Sequence, residues 1–127
     1  MRRMHWRSPV EPEQSRGFAP WLAALRQGQH NGVYLIRDVE TGELLYVGES
    51  HRRRLYETLT RHLYPWNGRG SGPSYAPGFV EVAVLIASLD DDPVAEQYAL
   101  IQQLRPRDNV LDGRTLFEKA PHDEVPF

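Results

Sequence analysis

Hydrophobic and polar positions are most clearly segregated between residues 32 and 48. Gly32-Val-Tyr-Leu-Ile-Arg-Asp-Val39 is rich in β-branched and aromatic residues, Glu40-Thr41-Gly42-Glu43 is a polar break, and Leu44-Leu-Tyr-Val-Gly48 resumes the pattern. Two such runs joined by a short glycine-containing turn predict a β-hairpin, with Gly42 where positive φ is needed. Phe79–Ala87 (Phe-Val-Glu-Val-Ala-Val-Leu-Ile-Ala) predicts a third, mostly buried strand. Helical spacing takes over in three stretches. Residues 18–28 hold Pro20 near the start, Trp21, Ala24 and Leu25 at i, i+3 and i+4, and Gly28 as the expected stop. Residues 51–64 repeat Leu55, Leu59 and Leu63 every four positions and end at Pro65. Asp92-Pro93 opens a last helix with an N-cap and a first-turn proline; Val94, Tyr98, Ile101 and Leu104 are its expected core side, and it stops before Pro106.

The order helix, hairpin, helix, strand, helix predicts an α+β fold: a small, mostly antiparallel three-stranded sheet flanked by helices. A chain of 127 residues fits one domain. Residues 1–17, polar and containing Pro9 and Pro12, are expected as an N-terminal arm, residues 18–110 as the folded domain, and 111–127 as a weakly patterned tail. Residues 65–78 form a long Gly- and Pro-rich loop, either a substrate-contacting flap or a connector.

Composition narrows the classes. An apolar fraction of 40% and a charged fraction of 25% suit a packed globular core. The absence of cysteine excludes disulfides, a thiolate zinc site and a cysteine nucleophile. No apolar run approaches the ~20 residues that span a bilayer, and there is no secretory apolar region at the N-terminus, so a soluble cytoplasmic protein is expected. His5, His30 and His122 are scattered as surface residues are, and a histidine-rich zinc site is not expected. The net charge of −2 conceals a local excess of cations. Arg52, Arg53, Arg54, Arg61 and Arg69 face only Glu57 between residues 51 and 69, and Lys119 is the sole lysine. Arginine's planar fork suits phosphate, so this stripe points to nucleic acid, with Arg52, Arg53 and Arg69 as contact residues.

Five features separated in sequence are able to converge on such a sheet. They are Gly32-Val33-Tyr34; Tyr46-Val47-Gly48, whose tyrosine is twelve positions after Tyr34; the basic helix with Arg54, Arg61 and His62; Glu96 near the start of the last helix; and Asn109. This series resembles the GIY-YIG nuclease superfamily, in order, over roughly residues 32–110. The superfamily includes DNA-repair incision domains, homing endonucleases, restriction enzymes and nucleases associated with phages and transposons. The resemblance implies hydrolysis of DNA with one divalent metal ion, Mg²⁺ or Mn²⁺, on a compact three-stranded core. It gives Tyr34 and Tyr46 the two tyrosine roles, with Tyr34 preferred as general base, makes Glu96 the metal ligand and Asn109 a brace.

Those residue types suit the chemistry. A phosphodiester needs a water deprotonated, an anionic phosphorus centre stabilised and a departing 3′ oxygen neutralised. One carboxylate is enough for an ion that otherwise keeps water and phosphate oxygens. A tyrosine titrating near ~10 is a poor base at neutral pH, and a neighbouring arginine would favour its phenolate. The arginine is where the chain departs from the family. Relatives commonly carry it about eight residues past the second motif's glycine, with His or Tyr four further on, and that position here is Tyr56. Arg61 beside His62 is the first choice and Arg54 the rival, seven residues apart and so expected on one helix face. Arg52, four before Tyr56, ranks third, and His51 at the helix entry is a further phosphate contact.

The expectation is therefore an active DNA endonuclease, with RNA left open as a substrate and no membrane partner. The rivals are a nucleic-acid-binding module that kept the fold without the chemistry, and a protein-interaction domain. A chain this short leaves sequence specificity loose, structure-directed, or borrowed from a homodimer or another partner.

Overall fold

The structure, a computed structural model, describes residues 3–10, 18–63, 73–111 and 114–115. Helix α1 (Pro20–Gly28) precedes a hairpin of β1 (Gly32–Asp38) and β2 (Leu44–Ser50). Helix α2 (Leu55–Thr60), strand β3 (Val80–Ile86), helix α3 (Pro93–Leu104) and a short pair, β4 (Val110–Leu111) and β5 (Arg114–Thr115), follow. The three main strands are antiparallel in the order β2-β1-β3, with helices on both faces, the predicted α+β arrangement.

Alternation along the central strand decides which helix covers which face. Tyr34, Ile36, Val80 and Val82 bury with Leu22 of α1 and Leu55 and Leu59 of α2, while Val33, Leu35, Val47, Ala83 and Leu85 bury with Leu100 and Ile101 of α3. Each fully buried leucine contributes about 1.5–3 kcal/mol relative to an exposed one. Gly42 has a φ of 75°, as the hairpin turn requires. Gly32 lets β1 approach β3, since a Cβ there would meet the Leu85 carbonyl oxygen at 2.4 Å.

Both sheet edges are covered. Arg7 exchanges backbone hydrogen bonds with Val82 on the open side of β3, and Trp21 Nε1 donates to the Ser8 carbonyl, so residues 3–10 of the expected arm dock on the domain. Along β2, the backbone N–H groups of Arg107 and Asp108 donate to the carbonyls of Leu44 and Leu45.

Several boundaries differ from the sequence expectations. Gly28 lies inside α1, and Gln29, left-handed at φ 50°, ends it. The third strand is shorter than 79–87 because Phe79 belongs to a 3-10 turn. The basic helix starts at Leu55 rather than 51. Backbone donors ahead of it are taken by other groups: Arg53 N–H by the Asn31 side chain, Arg54 N–H by Ser50 Oγ, and Leu55 N–H by the His30 carbonyl. Arg53 is left-handed, with a φ of 59°. Arg54 and Arg61 therefore flank α2 as its two caps and do not share a helix face. On α3 the Asp92 carboxylate caps Val94 and Ala95 as expected, but the buried face is Pro93, Gln97, Leu100 and Ile101. Of the predicted core side only Ile101 is buried; Leu104 is exposed, and Val94 and Tyr98 are half-buried. Among the described residues no helix is long and apolar enough to cross a membrane.

Candidate active site

Register brings the two motifs of the hairpin into contact. Tyr34 pairs with Gly48 and Ile36 with Tyr46, so both tyrosines lie on the sheet face covered by α1 and α2. Gly48 has a steric reason: a Cβ there would stand 2.1 Å from Tyr34 Cζ. The missing side chain lets the Tyr34 ring lie across β2 toward α2.

There Tyr34 Oη lies 2.8 Å from His62 Nε2, and 3.4 Å from the Thr58 carbonyl oxygen. On the other side of the ring, His62 Nδ1 is 2.7 Å from the Pro73 carbonyl oxygen. A carbonyl only accepts, so Nδ1 carries the proton, and in the neutral imidazole Nε2 accepts from the Tyr34 hydroxyl. The Tyr46 ring leans on the same imidazole, with centroids 4.5 Å apart. Tyr34 and His62 are enclosed, at 3% and 4% exposure, whereas Tyr46 is half-buried and its hydroxyl has no hydrogen bond among the described residues.

Burial dominates the titration of all three. It pushes the Tyr34 phenol well above its ordinary value, with the charges of Tyr46 and Glu49 adding and Arg61 opposing. Tyr46 is raised by burial and then by Glu49. His62 is lowered by burial, partly offset by its bond to Pro73 and reinforced by Arg61. The phenolate that a nearby arginine is expected to favour at Tyr34 is thus opposed by desolvation, the larger effect.

Arginines collect beside this cluster. A cleft of about 190 Å³ is lined by Glu49, Ser50, His51, Arg52, Arg54, Thr58 and Arg61. The backbone of 51–54, pinned by Asn31 and Ser50, brings Arg52 and Arg54 to the same cleft as Arg61 from the far end of α2. Arg53 is exposed and outside this lining, and Arg69 lies outside the described residues. Thr58, four residues before His62, turns its hydroxyl back onto the carbonyls of Arg54 and Leu55.

Glu96 is half-buried in the first turn of α3 and does not line this cleft. Its neighbour Gln97 is buried and donates to the Val47 carbonyl at 3.1 Å. Asn109 binds the same residue twice: its Oδ1 accepts from Val47 N–H at 2.9 Å and its Nδ2 donates to Val47 O at 2.9 Å. The side-chain amide thus completes the ladder at the β2 edge, between Tyr46 and Gly48, a bracing contact to backbone.

Sequence reasoning misses Glu49, Gln97 and the Pro73 carbonyl. Glu49 has a signal, since it follows Gly48 directly and stands two residues from His51. Gln97 and Pro73 have none, because their partners are fixed only by tertiary packing. Among the described residues, no three His, Cys, Asp or Glu side chains group closely enough to hold a metal ion by themselves. No family model, curated protein or solved structure matches this chain.

Proposed function

We propose that the chain is a metal-assisted phosphodiesterase that cuts DNA, an endonuclease of the GIY-YIG type. One observation carries the reading. Tyr34, Tyr46 and His62, drawn from three segments, stack with ring centroids 4.5–6.3 Å apart beside a cleft lined by Arg52, Arg54 and Arg61.

In this reading the guanidinium groups bind the phosphate and stabilise the charge that builds on it. Tyr46, the more open of the two tyrosines, accepts a hydrogen bond from the attacking water. Tyr34 takes the partner role: its hydroxyl is spent on His62, and together they hold the ring against which Tyr46 packs. Asn109 and Gln97 fix the β2 backbone on either side of which Tyr46 and Gly48 project. A hard ion such as Mg²⁺ or Mn²⁺, which keeps water and phosphate oxygens as its other ligands, would be held by Glu96, the half-buried carboxylate of the first turn of α3, from outside the arginine-lined cleft. Such an ion would supply positive charge to the scissile phosphate and the departing oxygen.

A second reading is a nucleic-acid-binding module without the chemistry. Thr58 favours it, because it, and not an arginine, stands four residues before His62, the spacing that relatives commonly keep between their arginine and the following His or Tyr. The test is cleavage of a labelled supercoiled plasmid and a single strand, in Mg²⁺, in EDTA and by Glu96→Ala. Metal-dependent cutting that disappears in the variant is expected. Intact DNA in every lane with binding retained would replace the nuclease by the binding module, and no binding at all would leave the protein-interaction domain.

A further inference from the structure

Glu49 is out of character in its surroundings. A cleft with three guanidinium groups suits an anion, yet a carboxylate with 11% side-chain exposure lines it. Both oxygens of that carboxylate face His51 Nδ1, at 3.0 and 3.1 Å. The pair is unsuited to hold a divalent ion, because it offers two ligands and arginines line the same small cleft. It does suit the orientation of an imidazole. With Nδ1–H donated to Glu49, the ring is fixed and Nε2 is left as the working atom. His51 is half-exposed at 50%, whereas His62 is enclosed with both nitrogens engaged. Of the seven side chains lining the cleft, only an imidazole both gives and takes a proton readily in neutral water.

We propose that His51, oriented by Glu49, is the general acid that protonates the departing oxygen of a phosphodiester held by Arg52, Arg54 and Arg61. The proposal rests on the phosphodiesterase reading and completes its leaving-group side. Water oxygen forms the new bond to phosphorus and gives up a proton to solvent. The bond from phosphorus to the departing oxygen breaks, and that oxygen takes the proton from His51 Nε2. The products are an alcohol and a phosphomonoester, and neutral His51 recovers its proton from solvent. The carboxylate of Glu49 stabilises the imidazolium before the transfer and holds the ring through it.

The test compares two DNA oligonucleotides in Mn²⁺, after the bond cut by the wild-type protein has been mapped. One is ordinary DNA; the other carries a 3′-bridging sulfur at that bond, so the leaving thiolate needs no proton. His51→Gln is expected to slow cutting of ordinary DNA by about 10²–10⁴-fold and to cut the sulfur-bridged bond within about tenfold of the wild-type rate. Glu49→Gln, which keeps the shape and loses the charge, is expected to show the same selectivity with a smaller loss. A His51→Gln defect that persists on the sulfur-bridged DNA, or no defect on either, overturns the proposal while leaving the nuclease reading standing. A wild-type protein that cuts neither oligonucleotide overturns both.

Discussion

Tyr34 and His62 are joined by a 2.8 Å hydrogen bond whose direction is set from outside the pair. The Pro73 carbonyl holds the proton on Nδ1, and burial keeps the imidazole neutral, so Nε2 accepts and the phenol donates. Pro73 in turn belongs to a segment tied down twice: Tyr75 N–H donates to the His62 carbonyl, and Tyr75 Oη donates to Asp108 at 2.8 Å. Asp108 is gripped by the Arg107 guanidinium through two 2.8 Å contacts. The backbone N–H of Asp108 also ties it to the β2 edge. The buried centre of the site is therefore held by contacts reaching from β1 to the start of β4.

Gly48 is the first place to test this architecture. Gly48→Ala would put a methyl carbon into the Tyr34 ring and force it away from His62. A loss of about 1–3 kcal/mol is expected, the usual cost of overpacking, read as a lower urea midpoint at an unchanged slope. Introducing Tyr34→Ala first should remove most of that loss, because the two residues share one space. Additive losses would mean that the clash is relieved elsewhere.

The burial of His62 predicts a pH dependence of stability. An unfolded imidazole titrates near ~6.5, and the native value is lower. As the pH falls through ~6.5 the unfolded chain takes up the proton first, so stability declines until native His62 protonates as well. Urea unfolding between pH 7.5 and 5 should show this decline, and His62→Gln should flatten it. At lower pH a separate loss is expected. Asp108 is held below the usual carboxylate range, chiefly by Arg107, so stability disappears as the pH falls from the unfolded value of ~3.9 through the native one. An equal slope in wild type and His62→Gln above pH 5 would contradict the first half.

Much of this is legible in the sequence, and the parts that are not share a cause. Short apolar runs rich in β-branched and aromatic residues mark β1, β2 and β3, and Gly42 marks the hairpin turn, because those signals are local. Tyr34, Tyr46 and His62 stand out in the sequence and do meet. Their hydrogen-bond partners are invisible there, since Pro73 and Thr58 contribute only backbone carbonyls, which any residue has. The start of α2 is hidden because Asn31 and Ser50 compete for the donors of Arg53 and Arg54. The buried face of α3 is hidden because it includes Gln97, a polar residue satisfied at the β2 edge, which a hydrophobic pattern reads as solvent-facing.

Asn109 should matter more for order in β2 than its position after a helix suggests. Asn109→Ala removes two hydrogen bonds to Val47 and leaves its buried N–H without a partner. A cost of about 1–3 kcal/mol is expected. Amide exchange at Val47 should rise more than at Leu35 opposite it, whose neighbours on both sides remain paired. Asn109→Asp should not rescue, because a carboxylate accepts from the Val47 N–H but repels its carbonyl. Unchanged exchange at Val47 in Asn109→Ala would remove the bracing role.

The two caps of α2 divide the arginine question. Arg61 is half-buried, adjoins His62 and acts electrostatically on Tyr34, whereas Arg54 is exposed at the opposite end of the helix. A group that stabilises charge in the transition state must sit against the reacting phosphate, and its removal lowers turnover more than affinity. Arg61→Ala is therefore expected to reduce cleavage by about 10²–10³-fold at saturating DNA with a small change in Kd. Arg54→Ala should weaken binding and reduce the dependence of log K on log salt by about 0.9, the share of a single neutralised phosphate. Its turnover at saturation should stay within about tenfold of wild type. Binding isotherms at several salt concentrations, followed by single-turnover cleavage of the same DNA, separate the two. The reverse pattern would give the transition-state role to Arg54 and leave Arg61 as a binding residue that shields the buried His62 from protonation.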